Sequence, residues 1–143
     1  NTKKIIIYSF EVFIVSVFLL ACNFYSDKYL GANYWFWEDG SKSQIVYGDK
    51  KSPQGSISII DANVSQYNFT DKYIIAKSNP LKKNSIDTYW IIDKEVKIKN
   101  DNSLNSELYD LELKKGLKGP LDKDSFEYLK QKLQINIELK SAF

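Results

Sequence analysis

Few side chains in this sequence could carry out a reaction, and their spacing narrows the choice further. A serine nucleophile needs a base and a group to orient it. The chain has no histidine, so a Ser-Lys pair is the remaining route, and no Ser-x-x-Lys spacing occurs. The single cysteine, Cys22, follows a long apolar run, Ile5 to Ala21. The 18 acidic residues could supply the two carboxylates of a hydrolase, but solvated surface charge is their plainer reading. Asp39, Asp49, Asp61, Asp71, Asp93 and Asp101 fall near turns, where Asp bonds its own backbone, and none has the spacing of a calcium-binding loop. With only six glycines, no Gly-rich phosphate loop is present, and no cofactor motif appears. Asn63-Val64-Ser65 and Asn68-Phe69-Thr70 match the glycosylation acceptor pattern; in so Asn-rich a chain they read as chance matches.

The aromatic run Tyr34-Trp35-Phe36-Trp37 is the most informative cluster for binding. In a strand, Tyr34 and Phe36 point to one face and Trp35 and Trp37 to the other. One face suits a core, because aromatics dominate cores. The second is either covered as well, the plainer reading, or left as a contact surface, since exposed Trp and Tyr mark such surfaces. Tyr34, Trp35 and Trp37 are therefore the candidate binding residues, with Trp35 or Trp37 the expected contact.

These residues sit in a chain of 143 residues, long enough for one domain. The apolar fraction of 43% and charged fraction of 27% are ordinary, and the aromatic fraction of 15% favours strands and a real core over disorder. All 20 basic residues are lysine. Without Lys3, Lys4 and Glu11, 18 lysines (20 less 2) face 17 acids (18 less 1). A near-neutral domain without arginine is poorly suited to nucleic acid, which is not expected as a partner.

The N-terminal segment has the organisation of a signal peptide. Lys3 and Lys4 form a basic start, Ile5 to Ala21 is apolar apart from Tyr8, Ser9, Glu11 and Ser16, and a small residue, Ala21, precedes Cys22. It is shorter than the roughly 20 apolar residues of a spanning helix, and Glu11 lies inside it. Leu19-Leu20-Ala21-Cys22 resembles the lipobox of bacterial lipoproteins. That resemblance implies a diacylglyceryl group on the Cys22 thiol, cleavage before Cys22, and acylation such as palmitate. Two acyl chains, at about 0.8 kcal/mol per buried methylene, hold a protein to a membrane stably. The expected organisation is a signal peptide over 1–21, a tether over 22–28 and one globular domain over 29–143.

Along the expected domain, Tyr34 to Trp37 and Gln44 to Tyr47 read as strands around a turn at Glu38 to Ser41. Gly48 to Gly55 reads as an exposed loop. Ser56 to Ile60, Lys72 to Ser78 and Asp87 to Asp93 read as further strands, with Glu95 to Lys99 as an extension of the last. Asn79-Pro80 and Gly119-Pro120 read as breaks. Leu104, Leu108 and Leu111 have helical spacing, with Gly116 as terminator. Asp122 is a helix N-cap candidate with a Leu121–Phe126 staple, and Phe126, Leu129 and Leu133 share a face. Leu133, Ile135, Ile137 and Leu139 alternate, as in a closing strand. The expected class is α+β, an antiparallel meander of about five strands with one or two C-terminal helices packed on one face.

Tyr73-Ile74-Ile75-Ala76-Lys77, Tyr89-Trp90-Ile91-Ile92-Asp93-Lys94, Gly119-Pro120-Leu121, Asp124-Ser125-Phe126 and Leu133 resemble a family of small bacterial lipoproteins of unknown function. The resemblance implies an envelope location and a compact α+β domain; it supplies no activity. The expectation is a lipid-anchored protein of the bacterial cell membrane or outer membrane, its domain outside the cytoplasm. It would be a non-catalytic module for an envelope protein, peptide or glycan, and the alternative is a carboxylate-dependent hydrolase.

Overall fold

The computed structural model describes residues 27–143 apart from 41, 62, 80–85 and 99–105. The expected signal peptide, Cys22 and most of the tether lie outside the described residues, as does Leu104.

Among the described residues nine strands form two antiparallel sheets. The first sheet holds β1 (Lys28–Gly31), β2 (Tyr34–Asp39), β3 (Lys42–Tyr47) and β4 (Ile57–Ile60) in sequence order. The second holds β5 (Val64–Phe69), β6 (Tyr73–Ser78), β7 (Thr88–Asp93), β8 (Leu117–Leu121) and β9 (Lys140–Ser141), in the order β8-β7-β6-β5-β9. Two helices are described, α1 (Ser106–Lys114) and α2 (Lys123–Lys132). The fold is consistent with α+β but is mainly β, and the expected five-strand meander becomes two sheets.

The chain changes sheets between β4 and β5. The connection from Ile60 to Val64 leads from one sheet into the other rather than continuing a single meander. Ser43 is 2% exposed; its hydroxyl donates to the Val64 carbonyl at 2.8 Å, and its backbone N–H donates to Asn63 Oδ1 at 3.3 Å. These bonds tie β3 of one sheet to the start of β5 in the other and satisfy polar groups that the connection would otherwise bury unpaired.

The two sheets face each other across one core. Leu30, Tyr34, Phe36, Ile45 and Ile60 meet Val64, Tyr67, Ile74, Ala76 and Ile92, and the rings of Phe36 and Tyr67 stack with centroids 4.6 Å apart. A second core lies on the far side of the second sheet. There Tyr73, Ile75 and Ile91 pack with Phe126, and Tyr89, Leu121, Leu129 and Leu133 close around them. The helix face expected from Phe126, Leu129 and Leu133 is thus the face that packs. Strand β6 lies between both cores, so Tyr73-Ile74-Ile75-Ala76 is buried without a break, the pattern of a strand covered on both sides.

Local signals explain the ends of α2. Asp122 is its N-cap, accepting from the Ser125 backbone N–H at 2.7 Å, and this bond holds the Asp122 carboxyl below the ordinary carboxylate range. Gly119-Pro120 lies inside the edge strand β8 rather than at a break. Proline is tolerated there because an edge strand leaves backbone N–H groups unpaired. Gly119 has φ +143°, and a Cβ on it would meet the Trp90 ring at 2.6 Å and the Tyr89 carbonyl at 2.9 Å. The position accepts no side chain without displacement.

Three further expectations are corrected. The chain turns after Asp93, where Glu95 N–H donates to the Asp93 carboxylate at 3.0 Å, so of the expected extension Glu95 to Lys99 the described residues Glu95 to Ile98 do not continue β7. Ile135 to Leu139 forms no ladder; only Lys140 and Ser141 pair, with Tyr67 and Gln66. The alternation of Ile135, Ile137 and Leu139 instead lays alternate side chains onto the second core. On α1, Leu108 and Leu111 are 47% and 62% exposed, while Leu113, 1% exposed, and Tyr109 face the core.

Candidate functional site

The four-residue run Tyr34 to Trp37 splits between faces as alternation requires. Tyr34 and Phe36 are 3% and 1% exposed; Trp35 and Trp37 are half-buried. Tyr34 is therefore a core residue. Burial, and next the proximity of Tyr47 and Asp93, push its phenol up to about 12. Trp35 packs edge-on against Tyr29, centroids 5.1 Å apart, and its indole Nε1 donates to the Asp49 carbonyl at 2.9 Å. Among the described residues the Trp37 indole makes no hydrogen bond.

The hydrogen bond from Trp35 leads to a cleft at one end of the first sheet. Its volume is about 320 Å³, and its lining is Asn33, Tyr47, Gly48, Asp49, Gly55, Ile57 and Tyr109. Three segments position these residues. The first is the two-residue turn between β1 and β2, where Ala32 and Asn33 have φ +50° and +66°. This is the left-handed geometry of a tight hairpin, which Asn tolerates and Ala adopts at some cost. The Asn33 carbonyl accepts from Gly48 N–H at 2.9 Å, and its own N–H donates to the Tyr29 hydroxyl at 3.3 Å.

The second segment contains the expected loop, Gly48 to Gly55, which is largely exposed and is held in place by its own bonds. Lys51 N–H donates to Asp49 Oδ1 at 2.8 Å, Ser52 N–H to the Asp49 carbonyl at 3.3 Å, and Ser56 N–H to the Pro53 carbonyl at 3.1 Å. Gly48 has no room for a side chain, since a Cβ would lie 1.8 Å from Ser56 Oγ. The third segment is α1, which brings Tyr109 to the cleft while Leu113 anchors the helix in the core.

The lining is short of charge. Among the described lining residues Asp49 is the one that carries a charge, and none is a lysine. The Asn33 amide and the Tyr47 and Tyr109 phenols make no hydrogen bond within the described residues. Tyr47 stands edge-on to the buried Tyr34, centroids 5.0 Å apart. Among the described residues no group of three or more acidic, Cys or His side chains is placed to hold a metal ion, and no helix is long and apolar enough to cross a membrane.

Sequence reasoning singled out Tyr34, Trp35 and Trp37 and missed Asn33, Tyr47, Asp49 and Tyr109. Gly31-Ala32-Asn33 ahead of an aromatic strand was a usable hairpin signal. Nothing in sequence order, however, brings Tyr109 to a loop some sixty positions earlier. Cys22 lies outside the described residues.

The chain belongs to the family whose model, described as "Protein of unknown function (DUF3997)", matches residues 32–142. That span runs from the hairpin turn at the cleft through the last strand of the second sheet. No curated protein and no solved structure matches the chain.

Proposed function

We propose that this protein is a bacterial envelope lipoprotein, anchored through acylated Cys22, whose folded domain is a non-catalytic binding module. The anchor rests on the basic start at Lys3-Lys4, the apolar run to Ala21 and the Leu19-Leu20-Ala21-Cys22 tetrad. The first strand begins at Lys28, so the polar segment after Cys22 is short and holds the domain near the membrane surface.

The observation that carries the binding reading is the cleft. Three neutral side chains able to hydrogen-bond, from a turn, a strand and a helix, converge there with no partner among the described residues. Local folding needs no such convergence. Trp35 supports the site from behind through its bond to Asp49, while Trp37, on the same outer sheet face, is not among the lining residues. A membrane tether raises the local concentration of envelope partners, so modest affinity suffices.

Two measurements test this reading. Cells fed a fatty-acid analogue should label the wild-type protein and not Cys22→Ser, which should accumulate as the precursor; label on the variant overturns the anchor. Recovery of envelope material on the immobilised full chain should fall for Tyr109→Ala, and unchanged recovery overturns the cleft as the contact site.

A further inference from the structure

The chemistry of the cleft lining selects a ligand class, an inference that rests on the binding reading above. We infer that the cleft between Asn33, Tyr47, Asp49 and Tyr109 binds a neutral saccharide. Asn33 and Asp49 hydrogen-bond its hydroxyls, and a tyrosine ring packs on its C–H face.

The argument proceeds by charge, then hydrogen bonding, then size. An anionic ligand would find no cation among the described lining residues and would face the Asp49 carboxylate. A cationic ligand would find a single carboxylate, one oxygen of which already accepts from Lys51 N–H at 2.8 Å. Lys50 and Lys51 follow Asp49 directly in the loop and offset its charge. A dedicated ammonium site needs an excess of negative charge or a closed aromatic cage, and this loop supplies neither.

A neutral polyhydroxyl ligand meets complementary groups. Each sugar hydroxyl both donates and accepts; the Asn33 amide and the two phenols also do both, and the free carboxylate oxygen of Asp49 accepts. The face of a tyrosine ring is electron-rich and favours the weakly positive C–H groups of a pyranose. The volume of about 320 Å³ lies at the small end of ligand sites, which start at roughly 300 Å³, and suits about two sugar rings rather than a folded partner. Trp35 is bonded to the Asp49 carbonyl at 2.9 Å, so its fluorescence reports on the loop that forms the site.

The test uses the full chain in a polyoxyethylene detergent, which carries neither sugar nor choline. Tryptophan fluorescence and calorimetry are followed during titration with cellobiose, maltose and N,N′-diacetylchitobiose as neutral probes, and with glucuronate and choline as charged ones. The expected result is saturable binding of at least one neutral disaccharide and none of the charged probes. Tyr109→Ala should weaken that binding tenfold or more. Asn33→Gly, which keeps the left-handed backbone while removing the amide, should weaken it as well with its melting transition intact. Saturation by choline or glucuronate alone, lost in Tyr109→Ala, would keep the cleft as a binding site and overturn the saccharide. Silence toward every neutral probe would also overturn it, while fatty-acid labelling reports on the anchor independently.

Discussion

The indole of Trp35 donates its hydrogen bond to the carbonyl of Asp49 at 2.9 Å, so a strand residue holds the loop that walls the cleft. This bond joins the outer face of the first sheet to the 48–56 loop. The Gly48–Asn33 backbone bond at 2.9 Å ties the same loop to the hairpin turn. Trp35→Phe keeps a ring and removes the donor. Its expected cost is about 0.5–1.5 kcal/mol, felt locally. Hydrogen exchange should quicken at the Ser52 and Ser56 amides by up to about tenfold while β6 and β7 stay protected. Unchanged exchange in the loop would mean that its own turns hold it.

Phe126 is fully buried, stacked on Tyr89 with centroids 5.0 Å apart, and is the main side chain joining α2 to the second sheet. Phe126→Ala should destabilise the protein by about 3–5 kcal/mol, read as a lowered midpoint in urea. A loss below about 1 kcal/mol would show that the helix is peripheral to the fold.

Helix α1 offers a paired comparison. Leu113 is 1% exposed and Leu111 is 62% exposed, although the spacing of Leu104, Leu108 and Leu111 had pointed to the opposite face. Leu113→Ala should cost about 2–5 kcal/mol, and Leu111→Ala should stay within about 0.5 kcal/mol. Equal losses for the two would contradict the orientation of the helix, and with it the placement of Tyr109.

The buried phenol of Tyr34 makes alkaline stability a test of the core. Its folded value is raised to about 12 from 10.0, first by burial and then by Tyr47 and Asp93. Between these values the folded state binds more protons than the unfolded state. The contribution is therefore complete below pH 10 and is lost as the pH rises toward 12. A two-unit shift corresponds to a loss on the order of 2–3 kcal/mol. Tyr34→Phe should show a shallower fall in stability between those pH values than the wild type, measured by urea unfolding at each pH. Parallel curves would mean that Tyr34 ionises alike in both states.

Local features of the sequence were enough for the signals that depend on near neighbours. Alternation at Tyr34 to Trp37, the hairpin through Gly40, the strands at Tyr73 and Thr88, and the Asp122 cap with its Phe126 face are all set within a few residues. Strand β5 escaped notice because Val64-Ser65-Gln66-Tyr67-Asn68-Phe69 is half polar. Its buried positions, Val64 and Tyr67, are three apart and break simple alternation, and the register shift between Val64 and Gln66 explains the break. The last apolar alternation, Ile135 to Leu139, faces its side chains inward without forming a strand. Period two records which side chains face inward and does not specify whether the backbone finds a ladder partner.

Long-range arrangement lay beyond such patterns. Whether the chain after Ile60 returns to the same sheet or enters a second one depends on the bonds of Ser43 to Val64 and Asn63, between residues about twenty apart. The side of α1 that faces inward was settled by packing. Its apolar residues lie on more than one face, and the space beside the first core takes Leu113 and Tyr109. The cleft has the same origin. Asn33, Asp49 and Tyr109 become neighbours only when hairpin, loop and helix meet at one end of the sandwich, and contact between residues so far apart in the chain leaves no periodic trace in the order of its amino acids.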